Sequence, residues 1–511
     1  MTRKRTFTAL GGLAVAVAIA VIGVSQATAT GPDNITGAIV GHVNAAPAQY
    51  VNLSTMSRTG FAPSGPSRPA MIRGGVQLPS APSTGSKIAG STAGPRPFVQ
   101  TTNSFTGIDL GTADCGCQPP DVNATIGPNN ILEIVNLEFA VYDKSGNLQF
   151  RTSLNNFLGT GDALSDPRAV YDPTWNRWEF SLLDENTPSL WLVYSASADP
   201  LGGWWFYHVG LPFAAGSITD YPQVGEDQNA FIYTTNNFDA SSNYINSTAF
   251  LVPKSRVYNG FGWGAGLAGV NYNTTPAIVA GHPTQQTNFL YMLSPDDANN
   301  VMYVYQWGNT GGASPTLIYK GAIAYNWAAP PRRVNQPNTS TTLDPLDGRI
   351  DWSATQLDGR VWFAHGVAIG SFPGVNYGFV NPTNMTISTN TAFETATSDD
   401  FNPSISVQNS PNNIPQEFVT WAYTDSGNGV PTRDVYALNQ GTTLNHLTGT
   451  QYGPNGNITG ETRFGDYSSS WPEYNVVGSC VEGLNALVAN EYFEANGNWA
   501  TRLARVHRSG C

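Results

Sequence analysis

The chain has 511 residues and carries 24 lysines and arginines against 36 aspartates and glutamates, a formal net charge of −12. An acidic chain without clustered Lys/Arg is excluded as a partner for nucleic acid or an anionic membrane, both of which need a basic footprint. Charged residues make up only 12% of it, about half the usual share, so solubility rests on Asn, Thr, Ser and Gly.

Arg3, Lys4 and Arg5 precede an apolar run from Ala9 to Val24, and Ala27, Thr28 and Ala29 supply the small residues of a cleavage site. Residues 1–29 therefore read as a secretory signal peptide, too short and too rich in Gly and Ala for a membrane span. No later segment is apolar enough to cross a bilayer. The expectation is a secreted, extracellular monomer with no integral membrane segment after cleavage.

Residues 30–104 include "APSGPSRPAMIRGG" and "LPSAPSTGSKIAGSTAGPRP", which are Pro/Gly/Ser-rich and hold no period of 2 or 3.6. Such a stretch buries too little apolar surface to offset the entropy of ordering, and it reads as a disordered linker.

From residue 105 to 511 the chain repeats itself. Seven times a short strand is followed by a turn, a more apolar second strand and an alternating third strand. The second strands read "NILEIVN", "NRWEFSLL", "NAFIYTT", "TNFLYML", "GRVWFAHG", "QEFVTWAY" and "LNALVANEY". Alternating β-branched and aromatic residues between turn signals mark strands, and no stretch offers a long amphipathic helix. This is an all-β chain, expected to be a β-propeller of seven blades, an architecture that hides its sheet edges around an axis. Pairing of "SFTGIDLG" into the last sheet would close it.

Four cysteines in an exported chain suggest two bridges. Cys115 and Cys117 stand too close in sequence to pair without strain, so each is expected to join Cys480 or Cys511, tying the start of the domain to its end. A zinc site is the alternative, at a spacing tighter than the usual ligand gap.

Three stretches place an aspartate just before or within a first strand: "SDPRAVYDP", "TDYPQVGED" and "RFGDYSSSWPE". In a propeller the start of each first strand lies at the same rim of the channel as the end of each second strand. Asp121, Asp166, Asp220 and Asp466 are thus expected to converge as an acidic, catalytic group, and crowded carboxylates split their pKa values as glycoside hydrolysis requires. Tyr221, Tyr467, Trp352 and Trp471 are candidates for stacking on sugar rings. Asn236, Asn402 and His365 are candidates for holding hydroxyls, and Glu491 ends a second strand at that rim. An aspartate before a strand also accepts backbone N–H bonds in ordinary turns, which is the competing role. Calcium is the candidate cation, at this rim or in the "SPDDANN" turn around Asp296 and Asp297.

"PPDVNATIGPNNILEIVN", "DPRAVYDPTWNRWEFS" and "RFGDYSSSWP" resemble segments of a family of secreted bacterial proteins with sialidase-like propellers. The resemblance implies the propeller and export. The literal Asp-box, Ser-x-Asp-x-Gly-x-Thr-Trp, is not present, and Arg168, Arg349 and Arg463 are the positional candidates for an arginine clamp. Two functions follow: a hydrolase acting on an extracellular carbohydrate, or a propeller that binds a glycan or protein at the cell envelope. A lyase, with Tyr221 or His365 as base and Arg349 or Arg463 neutralising a uronate, ranks below both.

Overall fold

The computed structural model describes residues 39–56, 85–90, 99–112, 117–279, 286–352, 354–453, 456–458, 463–474 and 483–510. The expected signal peptide, Cys115, Cys480 and Cys511 lie outside them. Nearly everything described is β-structure, and among the described residues no helix is long and apolar enough to cross a membrane.

The strands pair in successive four-stranded antiparallel meanders. Sheet I holds Asn123–Ile126, Asn130–Val135, Glu138–Asp143 and Leu148–Ser153. Sheet II follows with Leu164–Asp172, Arg177–Asp184, Ser189–Ser195 and Gly203–Gly210. Sheet III comprises Ile218–Glu226, Ala230–Phe238, Tyr244–Pro253 and Trp263–Val270. Sheet IV runs from Thr275–Val279 through Phe289–Asp296 and Val301–Gly308 to Thr316–Ala324. Sheet V contains Ala354–Leu357, Arg360–Ile369, Phe372–Asn381 and Thr386–Ala392. Sheet VI contains Asp399–Asn409, Pro415–Asp425, Val430–Gln440 and Thr450–Tyr452. Sheet VII has Ser469–Pro472, Asn485–Phe493 and Trp499–Arg508, with Val99–Asp109 as its outer strand.

First strands of neighbouring sheets touch in parallel, with Glu226 opposite Ile278 and Ala277 opposite Ala354. That contact, together with the repeated meander, gives a propeller-like fold with the first strands innermost. The apolar core lies between the sheets. Phe139 packs on Phe180 with centroids 5.5 Å apart, and Phe180 on Trp204 at 5.4 Å, joining sheets I and II through buried rings. Truncating such a ring to alanine costs about 3–5 kcal/mol.

Part of the stretch read as a linker is ordered, which corrects the expectation of disorder over 30–104. Ile39–Ala45 adds a fifth strand to sheet III and Gln49–Asn52 a fifth to sheet II. Lys87 buries its ammonium against Asp400 at 2.5 Å. The strand closing sheet VII begins at Val99 rather than Phe105. These segments satisfy their backbone on edges that already exist, so they need little apolar content of their own.

Candidate functional site

The ladders of sheets II, III and VI each slip near the start of the first strand, between Ser165 and Arg168, between Asp220 and Gln223, and between Phe401 and Ser404. Each slip contains a left-handed residue followed by proline: Asp166 (φ 55°), Tyr221 (φ 52°) and Asn402 (φ 47°). Proline has no N–H to give to a ladder and sits where pairing is broken. The left-handed residue re-aims its side chain, here to reach other strand starts. Tyr467 Oη donates to Asp166 Oδ2 at 2.6 Å, Tyr221 Oη donates to the Ile350 carbonyl, and Asn402 Nδ2 to the Gly465 carbonyl. Asp121, ahead of sheet I, shares the left-handed conformation (φ 52°).

Asp121, Asp166 and Asp466 are brought together from sheets I, II and the approach to VII, with one oxygen of each within 4.8 Å of the others. All three are buried. Asp121 Oδ1 accepts from the Asp466 amide at 2.7 Å, and its Oδ2 from Asn136 Nδ2 at 2.6 Å. Asn136 Oδ1 in turn accepts the Asp166 amide at 3.0 Å. Asp466 Oδ1 accepts from Arg463 Nη2 at 2.6 Å.

Burial, then the charges of Asp466 and Asp166, push the Asp121 carboxyl up to about 8, against the pull of Arg463. Burial and Asp466 raise Asp166 to about 6, with Tyr467 and Arg168 opposing. Glu491 adds to the group: both its oxygens are buried without a hydrogen-bond partner, and burial followed by Asp121 drives its carboxyl far above the usual range. Its carboxylate lies against Gly465, where a Cβ would stand 2.2 Å from Oε2.

Arg168 is fully buried beside these acids. Its Nε donates to the Pro222 carbonyl at 2.7 Å and its guanidinium lies 3.4 Å from the Tyr467 ring centroid. Nη1 and Nη2 have no hydrogen-bond partner. Three converging carboxyls could surround a hard cation, and Arg463 and Arg168 bring two positive charges to the same group.

Asp220 stays outside the trio. Its Oδ2 lies 3.9 Å from Arg349 Nη1, while Arg349 holds Asp347 through Nε at 2.7 Å and Nη2 at 3.1 Å and covers the Tyr221 ring at 4.6 Å. Tyr221, one residue on, takes the bulge position that Asp166 holds in sheet II. Asn236 is a positioning residue, accepting the Asn273 amide at 3.1 Å as Asn136 accepts that of Asp166. His365 is fully buried away from the acids, bonded to Tyr325 Oη at 2.7 Å and the Gly348 carbonyl at 2.9 Å, and burial lowers its pKa to about 4. Trp352, Trp471, Tyr221 and Tyr467 are all buried, so none of these four rings is open for a sugar. Asp296 gives one oxygen to the Asn299 amide and the other to its side chain, a turn rather than a cation site.

The sequence places Asn136 at the end of a second strand and Arg168 by position, without a role for either, and gives no sign of Asp351. Asp351 is buried, and burial raises its carboxyl well above the usual range despite Arg349. The Asp-Pro, Tyr-Pro and Asn-Pro dipeptides were the available signal for the inward-facing positions.

No family model matches the chain, and no curated protein does. Among solved structures it is similar to a Synechocystis apocarotenoid oxygenase mutant, at 10% identity and TM-score 0.37 over 65% of this chain and 74% of that one. A Penicillium chrysogenum α-L-arabinanase complexed with arabinobiose aligns at 11% identity and TM-score 0.31, over 53% and 74%. A protein of unknown function from Dyadobacter fermentans aligns at 9% and 0.35, over 81% and 100%. At such scores these likenesses carry no argument about the reaction, and the propeller-like description rests on the strand ladders.

Proposed function

We propose that this is a secreted, monomeric seven-bladed propeller, akin to the sialidase-like propellers, that hydrolyses an extracellular glycan at the acidic end of its channel. One observation carries the reading: Asp121, Asp166 and Asp466, from separate sheets, meet within 4.8 Å in surroundings that hold Asp121 up to about 8. A carboxyl kept protonated near neutrality is a general acid, and a neighbour kept charged is a nucleophile. Asp121 gives its proton to the leaving glycosidic oxygen. Asp466, its charge stabilised by Arg463, attacks the anomeric carbon, and Asp121 then takes a proton from the water that releases the sugar. The short separation leaves no space for a water between acid and carboxylate, which fits retention of configuration. The unpartnered nitrogens of Arg168 supply donors to a sugar hydroxyl or carboxylate.

Access is consistent with entry from one side. Side-chain exposure falls from 31% at Asp344 to 15% at Arg463 and 5% at Asp466, and Asp344 feels the charges of both. The test is to incubate the exported domain with a polysaccharide panel and follow reducing-end release alongside the absorbance of unsaturated uronates. Reducing ends without that absorbance are expected. Absorbance would replace hydrolysis by elimination, and silence on every glycan together with binding to one would leave a lectin.

A further inference from the structure

A second buried ionic cluster lies between sheets II and III, away from the acidic trio. Lys254 opens the short helix Lys254–Val257 and is buried, with Nζ 2.7 Å from Asp172 Oδ2 and 2.8 Å from Glu226 Oε2. The other oxygen of Asp172 is held by two backbone amides, Thr174 at 2.9 Å and Trp175 at 3.1 Å. Tyr258 Oη donates to Oδ2 at 2.9 Å. The Phe231 ring lies 4.9 Å from Nζ, and Glu226 is itself buried.

We propose that Lys254 and Asp172 condense into an intramolecular amide, with Glu226 carrying the protons. Each part of the geometry has a use in that step. Nζ is fixed against the carboxyl it attacks, which removes the entropic cost of encounter. The Thr174 and Trp175 amides stabilise the negative charge that develops on Oδ1 during addition, while Tyr258 and Glu226 assist the departure of Oδ2. The balance closes without a co-reactant. Nζ forms a bond to Cγ, the Cγ–Oδ2 bond breaks, one ammonium proton stays on the amide nitrogen, and the other two leave with Oδ2 as water. Glu226 passes protons from nitrogen to oxygen and returns unchanged.

Burial, opposed by Lys254 and reinforced by Asp172, raises the Glu226 carboxyl to about 8, so it exchanges protons near neutral pH. The two carboxylates keep Lys254 charged at rest despite its burial, so the reaction starts from the ion pair. Condensation removes two buried charges whose desolvation is costly and which a neutral amide does not carry, and the dry surroundings exclude the water that would reverse it.

Lys87 and Asp400 form the internal comparison. They too are fully buried, at 2.5 Å, but among the described residues no second carboxylate lies within ion-pair distance of Lys87. The amide is therefore expected at Lys254 alone.

Mass spectrometry of the reduced, folded chain decides the matter. The expected result is a mass lower by one water than its sequence requires, with trypsin failing to cut after Lys254 and a linked peptide joining the segments of Lys254 and Asp172. Full sequence mass with cleavage after Lys254 overturns the proposal. In Asp172→Asn, loss of one ammonia or no loss at all supports the assignment of the acyl partner, whereas loss of one water overturns it. Glu226→Gln should stay unlinked at full mass, and an undiminished link there overturns the role of Glu226.

Discussion

Asp121 and Asp347 both lie ahead of first strands, and their carboxyls are shifted in opposite directions. Asp347 faces the fork of Arg349, and although burial raises its carboxyl, that guanidinium overrides burial and holds it at about 2. Asp121 faces Asp166 and Asp466, and with Arg463 bonded to the neighbouring Asp466 it is held at about 8. Asp121 is 1% exposed and Asp347 is half-buried, its side chain 17% exposed, so burial favours the proton more at Asp121. The sign of the nearest charge acts in the same direction, so one aspartate is built as an anion and the other as a store for a proton.

The comparison breaks most visibly at Asp121. Asp121→Asn keeps the acceptor for the Asp466 amide, sets an amide NH2 against Asn136 Nδ2 and loses the proton, so glycan turnover should fall by about 10²–10⁴-fold with a modest drop in melting temperature. Turnover that survives in a folded variant would strip Asp121 of its assigned role. Arg349→Met attacks the other half by leaving Asp347 without its fork, and chemical denaturation should show a loss of about 3–5 kcal/mol.

A pH series separates the two halves without mutation. Asp121 takes up a proton on folding, so its contribution is complete below the ordinary value of 3.8 and fades as pH rises through about 8. Asp347 behaves in reverse, contributing above 3.8 and losing its contribution as pH falls through about 2. Melting temperature should therefore decline from about pH 5 to about pH 9, less steeply in Asp121→Asn, and the same slope in both proteins would refute the proton store. The smallest effect is expected at His365, which bonds to Tyr325 Oη and to the Gly348 carbonyl but to no carboxylate of either group. His365→Gln should cost about 1 kcal/mol and leave turnover intact.

The strands were legible because short apolar runs rich in β-branched and aromatic residues, such as "NILEIVN" and "QEFVTWAY", stand between turn signals. The site was legible only in part. Asp121, Asp166 and Asp466 were found from their place before strands, but Asp220 was taken where Tyr221 stands. A bulge shifts the register by a residue, and nothing in hydrophobic periodicity records such a shift. Lys87 was hidden for another reason. Its flanks are Pro/Gly/Ser-rich, and the partner that makes its burial tolerable, Asp400, lies 313 residues away.

The outer strand of sheet VII has a consequence for folding. Asn103 pairs with Arg505 and Val99 with Arg508, so this strand finds its partner only after the intervening sheets have been made, Asn103 and Arg505 standing 402 residues apart. A long-range pairing of this kind is slow to form and leaves a strand waiting without a neighbour. Its sequence, "VQTTNSFTGID", is mostly polar and stays largely accessible even in the finished sheet. A segment of that character can wait unpaired with little tendency to stack on copies of itself, while the apolar strands of sheets I to VI have their partners within one hairpin in sequence.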